Sequence, residues 1–83
     1  MFKISGDVTV YTNPNCGFCH KQINWMKNNG IEFNEKNIKE NEQYRSEFFN
    51  LGGRGTPFSI IKTDSGYEHI RGFNIQMLTD LLL

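Results

Sequence analysis

The period of apolar and polar positions changes several times along the chain, and the changes divide it into elements. Residues 8–12, Val-Thr-Val-Tyr-Thr, are β-branched or aromatic with apolar and polar positions alternating, which predicts a strand. Asn13-Pro14-Asn15 is turn chemistry and stops it. From 17 to 29 the period becomes helical, with Cys19, Ile23 and Met26 at i, i+4 and i+7 on one face. Gly30 is the matching C-terminal signal. Residues 31–38 open with the alternation of a half-buried strand. Asn41 is a cap for a second helix, whose inner face is predicted to be Tyr44, Phe48 and Leu51 and whose end is Gly52-Gly53. A third strand spans 57–62, Asp64-Ser65-Gly66 turns the chain, and 67–71 returns as the second arm of a hairpin. Asn74 caps a last helix with Ile75, Leu78 and Leu82 on one side.

The order is βαβ followed by ββα. Joining the first two strands through a helix makes them parallel, with a right-handed crossover, and the hairpin adds antiparallel strands. The expected architecture is a small α/β sandwich, a mixed sheet of four strands flanked by three helices. At 83 residues there is room for one core, so residues 1–83 are expected to form one domain. Nine basic and nine acidic side chains cancel, leaving no electrostatic footprint for nucleic acid or an acidic membrane. No apolar run approaches the roughly 20 residues of a membrane helix. Residues 1–7 lack an apolar stretch of the secretory kind, so a soluble, cytoplasmic, monomeric protein is expected.

A domain this small often relies on a staple. Its two cysteines, Cys16 and Cys19, cannot join distant parts of the chain, and a bond between them would close too short a loop to remove much unfolded-state entropy. They are free for chemistry. Cys16-Gly17-Phe18-Cys19 follows a strand and opens a helix, a redox signature in a βαβ setting. At the helix N-terminus, unpaired N–H groups and the macrodipole favour negative charge, so Cys16 should ionise more readily than a free thiol, whose pKa is about 8.5. Cys19, one turn along and more buried, should stay protonated until needed. Cys16 is thus the expected nucleophile toward a substrate disulfide, and Cys19 the residue that resolves the mixed disulfide.

Rival readings use the same residues. Cys16, Cys19 and His20 satisfy the C-x-x-C-H pattern of covalent haem attachment, with Met77 as a nominal distal ligand, although such proteins are mostly helical. A zinc site would recruit Cys16, Cys19 and the two histidines, but His69 stands alone in a strand and supplies no second ligand pair. Lys21, in the first helical turn, either helps to stabilise the Cys16 thiolate or is an ordinary solvated lysine. Phe18 between the cysteines is expected to be exposed, which suits partner docking. Tyr11 either lines the site or packs in the strand, and Trp25 lies off the Cys19 face. Thr56-Pro57 reads either as a strand-start proline or as a cis bond that would present the Thr56 backbone beside Cys16.

Together these residues resemble the glutaredoxin family of the thioredoxin-like superfamily over nearly the whole chain, from Val8 to Leu83. The shared features are Tyr11-Thr12 ending the first strand, the Cys16-to-Cys19 motif, Gly30, Thr56-Pro57 and the late Gly72. The resemblance implies a thioredoxin-like fold, a cis Pro57 packed on the dithiol and thiol–disulfide oxidoreductase activity on protein or glutathione mixed disulfides. It implies no bound cofactor or metal, with glutathione as a candidate reductant. Details diverge within the family. Gly17-Phe18 replaces the usual Pro-Tyr. A Cys-Gly-Phe start is similar to monothiol members that hold an iron–sulfur cluster with glutathione, but those carry Ser at the place of Cys19 and an extra insertion. Gly72-Phe73-Asn74 lacks the acidic pair that binds the glutathione amine. His20, the spacing of Gly52, Arg54 and Pro57, and Gly72-Phe73 are similar to NrdH-type redoxins, which draw electrons from thioredoxin reductase and pass them to ribonucleotide reductase. The substrate-binding candidates are therefore Phe18, Arg54, Thr56, Pro57, Gly72 and Phe73. Arg54 is either a receptor for a glutathione carboxylate or a solvated loop residue.

Overall fold

A computed structural model describes residues 7–83. Residues 1–6, which carry most of the stretch read as lacking a secretory signal, lie outside the described residues. Among the described residues the order is β1 (Val8–Thr12), α1 (Gly17–Asn28), β2 (Asn34–Asn37), α2 (Glu42–Asn50), β3 (Phe58–Thr63), β4 (Gly66–Arg71) and α3 (Ile75–Leu82). The sheet runs β2-β1-β3-β4. β1 pairs parallel with β2 and antiparallel with β3, and β3 pairs antiparallel with β4. No helix among the described residues is long and apolar enough to cross a membrane.

The two-residue period of the strands sorts the core into two layers. Val8 and Val10 of β1, Ile61 of β3 and Ile70 of β4 meet Ile23 and Met26 of α1 and Leu78 of α3 on one face. Tyr11, Phe58 and Ile60 meet Phe48 of α2 on the other. Local signals set the helix ends. Asn41 accepts the N–H groups of Gln43 and Tyr44, and Asn74 accepts that of Met77. At the end of α1, Gly30 has φ +68°, its N–H bonds the Lys27 carbonyl, and Ile31 bonds that of Met26. That pair of bonds is a Schellman motif.

The same motif shortens the second strand. The alternation from Ile31 predicts a strand there, but the Ile31 N–H is committed to the helix end and β2 begins only at Asn34. Ile31 and Phe33 nevertheless pack on the α1/α3 core before pairing starts. Two other expectations are corrected. Leu51, assigned to the inner face of α2, is the C-cap and 40% exposed, because the helix has ended at Asn50 and Phe48 alone among the three is buried. Ile75 is 49% exposed at the first position of α3. Its side chain leans toward the N-terminus, where no further turn lies beneath it, and Leu78, Leu81 and Leu82 carry the packing instead.

Two contacts hold α2 against the sheet. The Tyr11 hydroxyl donates to Glu47 Oε1 at 3.0 Å, and Lys36 Nζ reaches the same oxygen at 2.8 Å. Gly53 lets the chain turn close against Phe48: a Cβ there would lie 2.4 Å from the ring. Gly53→Ala should therefore lower stability by about 1–3 kcal/mol, since ring and backbone must separate in a packed layer. Gly55→Ala, where a Cβ meets nothing within 4 Å, should stay within about 0.5 kcal/mol of the parent in the same denaturant titration.

Burial first, then the hydrogen bond and the charge of Glu47, push the Tyr11 phenol up to about 12. The hydrogen bond from Lys36 leads in holding Glu47 below the usual carboxylate range. Stability from Tyr11 is complete below the unfolded tyrosine pKa and is lost as pH rises through about 12. Stability from Glu47 is present above the unfolded carboxylate pKa and is lost as pH falls through its depressed folded value. An ultraviolet titration should show a phenolate step near pH 12 that Tyr11→Phe removes. A Tyr11 step at the ordinary tyrosine pKa would contradict this assignment.

Candidate functional site

The site is assembled where β1 gives way to α1. Asn13 shapes the turn: its side-chain oxygen accepts the Asn15 N–H and its carbonyl accepts the Cys16 N–H, both at 3.0 Å. Cys16 then takes an extended conformation and caps the helix, with its Sγ accepting the Cys19 N–H at 3.0 Å. A sulfur used as an N-cap receives one of the four N–H groups that a helix leaves unpaired, at the positive end of its dipole. No acidic residue occupies the first turn of α1. A negative charge on that sulfur would lie at the positive end of the dipole.

Cys16 and Cys19 are joined in a disulfide, so the structure shows the oxidised state. Their surroundings differ as expected: Cys16 is half-buried, whereas Cys19 is 2% exposed. The Thr56 carbonyl oxygen lies 3.4 Å from Cys16 Sγ. The Thr56–Pro57 peptide is cis and Pro57 is buried. The Pro57 carbonyl accepts the Gly72 N–H at 2.9 Å. Thus Cys16, Thr56, Pro57 and Gly72, far apart in the chain, form one connected patch.

The remaining nominated residues are distributed around it. Phe18 is 61% exposed between the cysteines. The Lys21 ammonium lies 5.5 Å from the centre of the Phe18 ring, so the contact the structure gives it is with that ring rather than with Cys16. Arg54 is exposed, donates to the Gly53 carbonyl and lines a groove of about 440 Å³ with Lys39, Arg45, Phe48 and Thr56. Phe73 is half-buried and packs on the α1/α3 core, so the contact the structure gives its ring supports the fold. His20 is exposed, and its Nε2 lies 3.3 Å from the Pro14 carbonyl. A carbonyl only accepts, so that nitrogen carries the hydrogen. Met77 and His69 lie in α3 and β4, and among the described residues no three His, Cys, Asp or Glu side chains are grouped to hold a metal ion. Tyr11 is buried in the α2 layer, which decides between its two readings.

Sequence reasoning missed Gln22 and Ser59, two buried polar side chains bonded to each other, with Gln22 on the buried face of α1 that also carries Cys19. Gln22 follows Cys19 by three residues, so helical periodicity alone would have placed it on the inner face.

A helix-capping sulfur, a buried partner one turn on and a backbone carbonyl beside the pair define a dithiol redox site. On the roles expected from the sequence, the Cys16 thiolate would attack one sulfur of a substrate disulfide and release the other as a thiolate. Cys19 would then lose its proton and attack Cys16 Sγ, and the second substrate sulfur would depart. The substrate would gain two electrons, with one proton from Cys19 and the other from water, and the protein would be left with the disulfide seen here.

Comparison with known proteins agrees. The glutaredoxin family model matches residues 8–62. The glutaredoxin-like protein NrdH of Lactococcus lactis subsp. cremoris (strain MG1363) is 34% identical over 64 residues, 77% of this chain and 88% of that protein. The NrdH-redoxin of Escherichia coli superimposes with a TM-score of 0.76 at 26% identity, covering 92% of this chain and 95% of that one. The thioredoxin-like protein BC3987 superimposes with a TM-score of 0.79 at 29% identity, covering 90% and 99%. The fold is thioredoxin-like, and the protein is a thiol–disulfide oxidoreductase. The chain belongs to the glutaredoxin family.

Substitutions separate the two sulfurs. Cys16→Ser should reduce turnover of a disulfide such as insulin to the uncatalysed background. Cys19→Ser should still take the first step and accumulate a mixed disulfide on Cys16, visible by mass spectrometry. Full activity in Cys16→Ser would refute the assignment of the nucleophile.

Proposed function

We propose that this protein is a cytoplasmic, monomeric dithiol carrier that reduces protein disulfides and is itself reduced by a thioredoxin reductase rather than by glutathione. Ribonucleotide reductase is a fitting acceptor, as the NrdH-type resemblance implies, and no bound cofactor is required. The observation that carries this reading is the segment after β4. Glutathione-using relatives place an acidic pair there for the glutathione amine. Here Gly72 is followed by Phe73, packed on the core, and by Asn74, whose side-chain oxygen is engaged by the Met77 N–H. Neither residue offers a carboxylate to an ammonium group. The Escherichia coli NrdH-redoxin, described as having a thioredoxin-like activity profile, supports the same direction.

A second reading has its own observation. The groove beside Thr56 is lined by Lys39, Arg45 and Arg54, cations able to receive a glutathione carboxylate, although Glu40 and Glu42 line it too. Glutathione mixed disulfides are therefore retained as secondary substrates.

The reductant decides between them. Oxidised protein should be reduced at least about tenfold faster by thioredoxin reductase with NADPH than by glutathione with its own reductase. That factor is the scale expected when one charge-assisted hydrogen bond is missing. Asn74→Asp should keep the helix cap and raise turnover with glutathione. Fast turnover of the parent protein with glutathione alone would overturn the primary reading.

A further inference from the structure

Behind the dithiol lies a polar pair that the steps above do not use. Gln22 is 0% exposed. Its Nε2 donates to Ser59 Oγ at 2.7 Å and lies 3.7 Å from Met26 Sδ. Ser59 is equally buried. The thioether sulfur can only accept, so the nitrogen end of the amide belongs on that side. The oxygen end then faces away, and Gln22 Oε1 is a buried acceptor with no partner. Buried polar atoms are nearly always paired, because an unpaired one has given up its water without compensation.

The position of the pair relates it to the cysteines. Cys19, Gln22, Ile23 and Met26 form the buried face of α1, and Gln22 is the next polar position inward from Cys19. Helical side chains lean toward the N-terminus, and for Gln22 the turn on that side is the one that carries Cys19. On the sheet side, Pro57 enters β3 beside the site and Ser59, two residues on, shares its face. One step inward from the dithiol, along the helix and along the strand, thus arrives at the same Gln22–Ser59 contact.

In the oxidised protein Cys19 Sγ is bonded to Cys16 and carries no hydrogen. Reduction adds an S–H donor at a sulfur that is 2% exposed. We propose that Gln22 Oε1 accepts the hydrogen bond of the reduced Cys19 thiol, with Ser59 holding the amide in the accepting orientation. The pair then favours the reduced dithiol over the disulfide and keeps Cys19 protonated while Cys16 makes the first attack. In the resolving step the Cys19 sulfur bonds Cys16 Sγ and the bond from Cys16 to the substrate sulfur breaks. The Cys19 proton leaves with the departing thiolate, and Gln22 Oε1 returns to the unpaired state seen here.

The test removes the amide and hydroxyl together, so that neither is stranded: Gln22→Met combined with Ser59→Ala. The thiol–disulfide equilibrium of parent and variant is measured against a dithiothreitol redox buffer, with thermal unfolding of both redox forms. The variant should shift toward the disulfide by about threefold to tenfold, the larger figure being ~30 mV for a two-electron couple. Its reduced form should lose more stability than its oxidised form. A second measurement needs no variant. In the isotopically labelled parent protein, the side-chain carbonyl carbon of Gln22 should move on reduction, while those of the exposed Gln43 and Gln76 stay in place. An unchanged redox equilibrium with both forms destabilised alike would make the pair merely structural and overturn the proposal. A Gln22 carbonyl signal indifferent to redox state would also overturn it.

Discussion

The structure depends on one sulfur being the N-cap of a helix. Cys16 leaves β1 in an extended conformation, and its Sγ takes the Cys19 amide hydrogen that would otherwise go unpaired. Capping is ordinarily done by an oxygen of Ser, Thr, Asp or Asn. A sulfur in that role links folding to chemistry, because the hydrogen bond that starts the helix is also one that negative charge on that sulfur would strengthen. The Asn13 turn orients Cys16, and β3 brings the Thr56 carbonyl against it. The sheet and helices serve to hold these two backbone segments in contact.

The two faces of the sheet divide the work. On one, α1 and α3 bury an aliphatic layer, and the buried face of α1 also carries Cys19 and Gln22, the latter bonded to Ser59 of β3. On the other, α2 packs an aromatic layer and is tied down by Tyr11, Glu47 and Lys36. The ionic contact is partly exposed, so it contributes modestly and packing dominates. Its effect is geometric, since it ties α2 to β1 and β2.

Much of the architecture was legible because its signals are local. The caps Asn41 and Asn74, the glycine ending α1 and the hairpin turn near Gly66 act over a few residues, and each appears where the residue type requires it. The errors came where local rules compete or where burial depends on distant elements. Ile31 alternates like a strand, yet its N–H closes a helix. Leu51 has helical spacing, yet the helix stops before it. Periodicity says which residues share a face, but the partner element decides how far along that face burial extends.

By itself the sequence determined the order of elements, the helix caps and the strand-to-helix setting of the cysteines. Each of these follows from residues within about one helical turn of one another. Only the tertiary structure decided what faces the cysteines. Thr56 meets Cys16 across 40 residues, Ser59 meets Gln22 across 37, and Glu47 meets Tyr11 across 36. Such pairings are settled by sheet register and helix packing rather than by any local preference. The two cysteines therefore announced a redox centre, while the backbone carbonyl at its mouth and the polar pair behind it became visible only once the chain had closed around them.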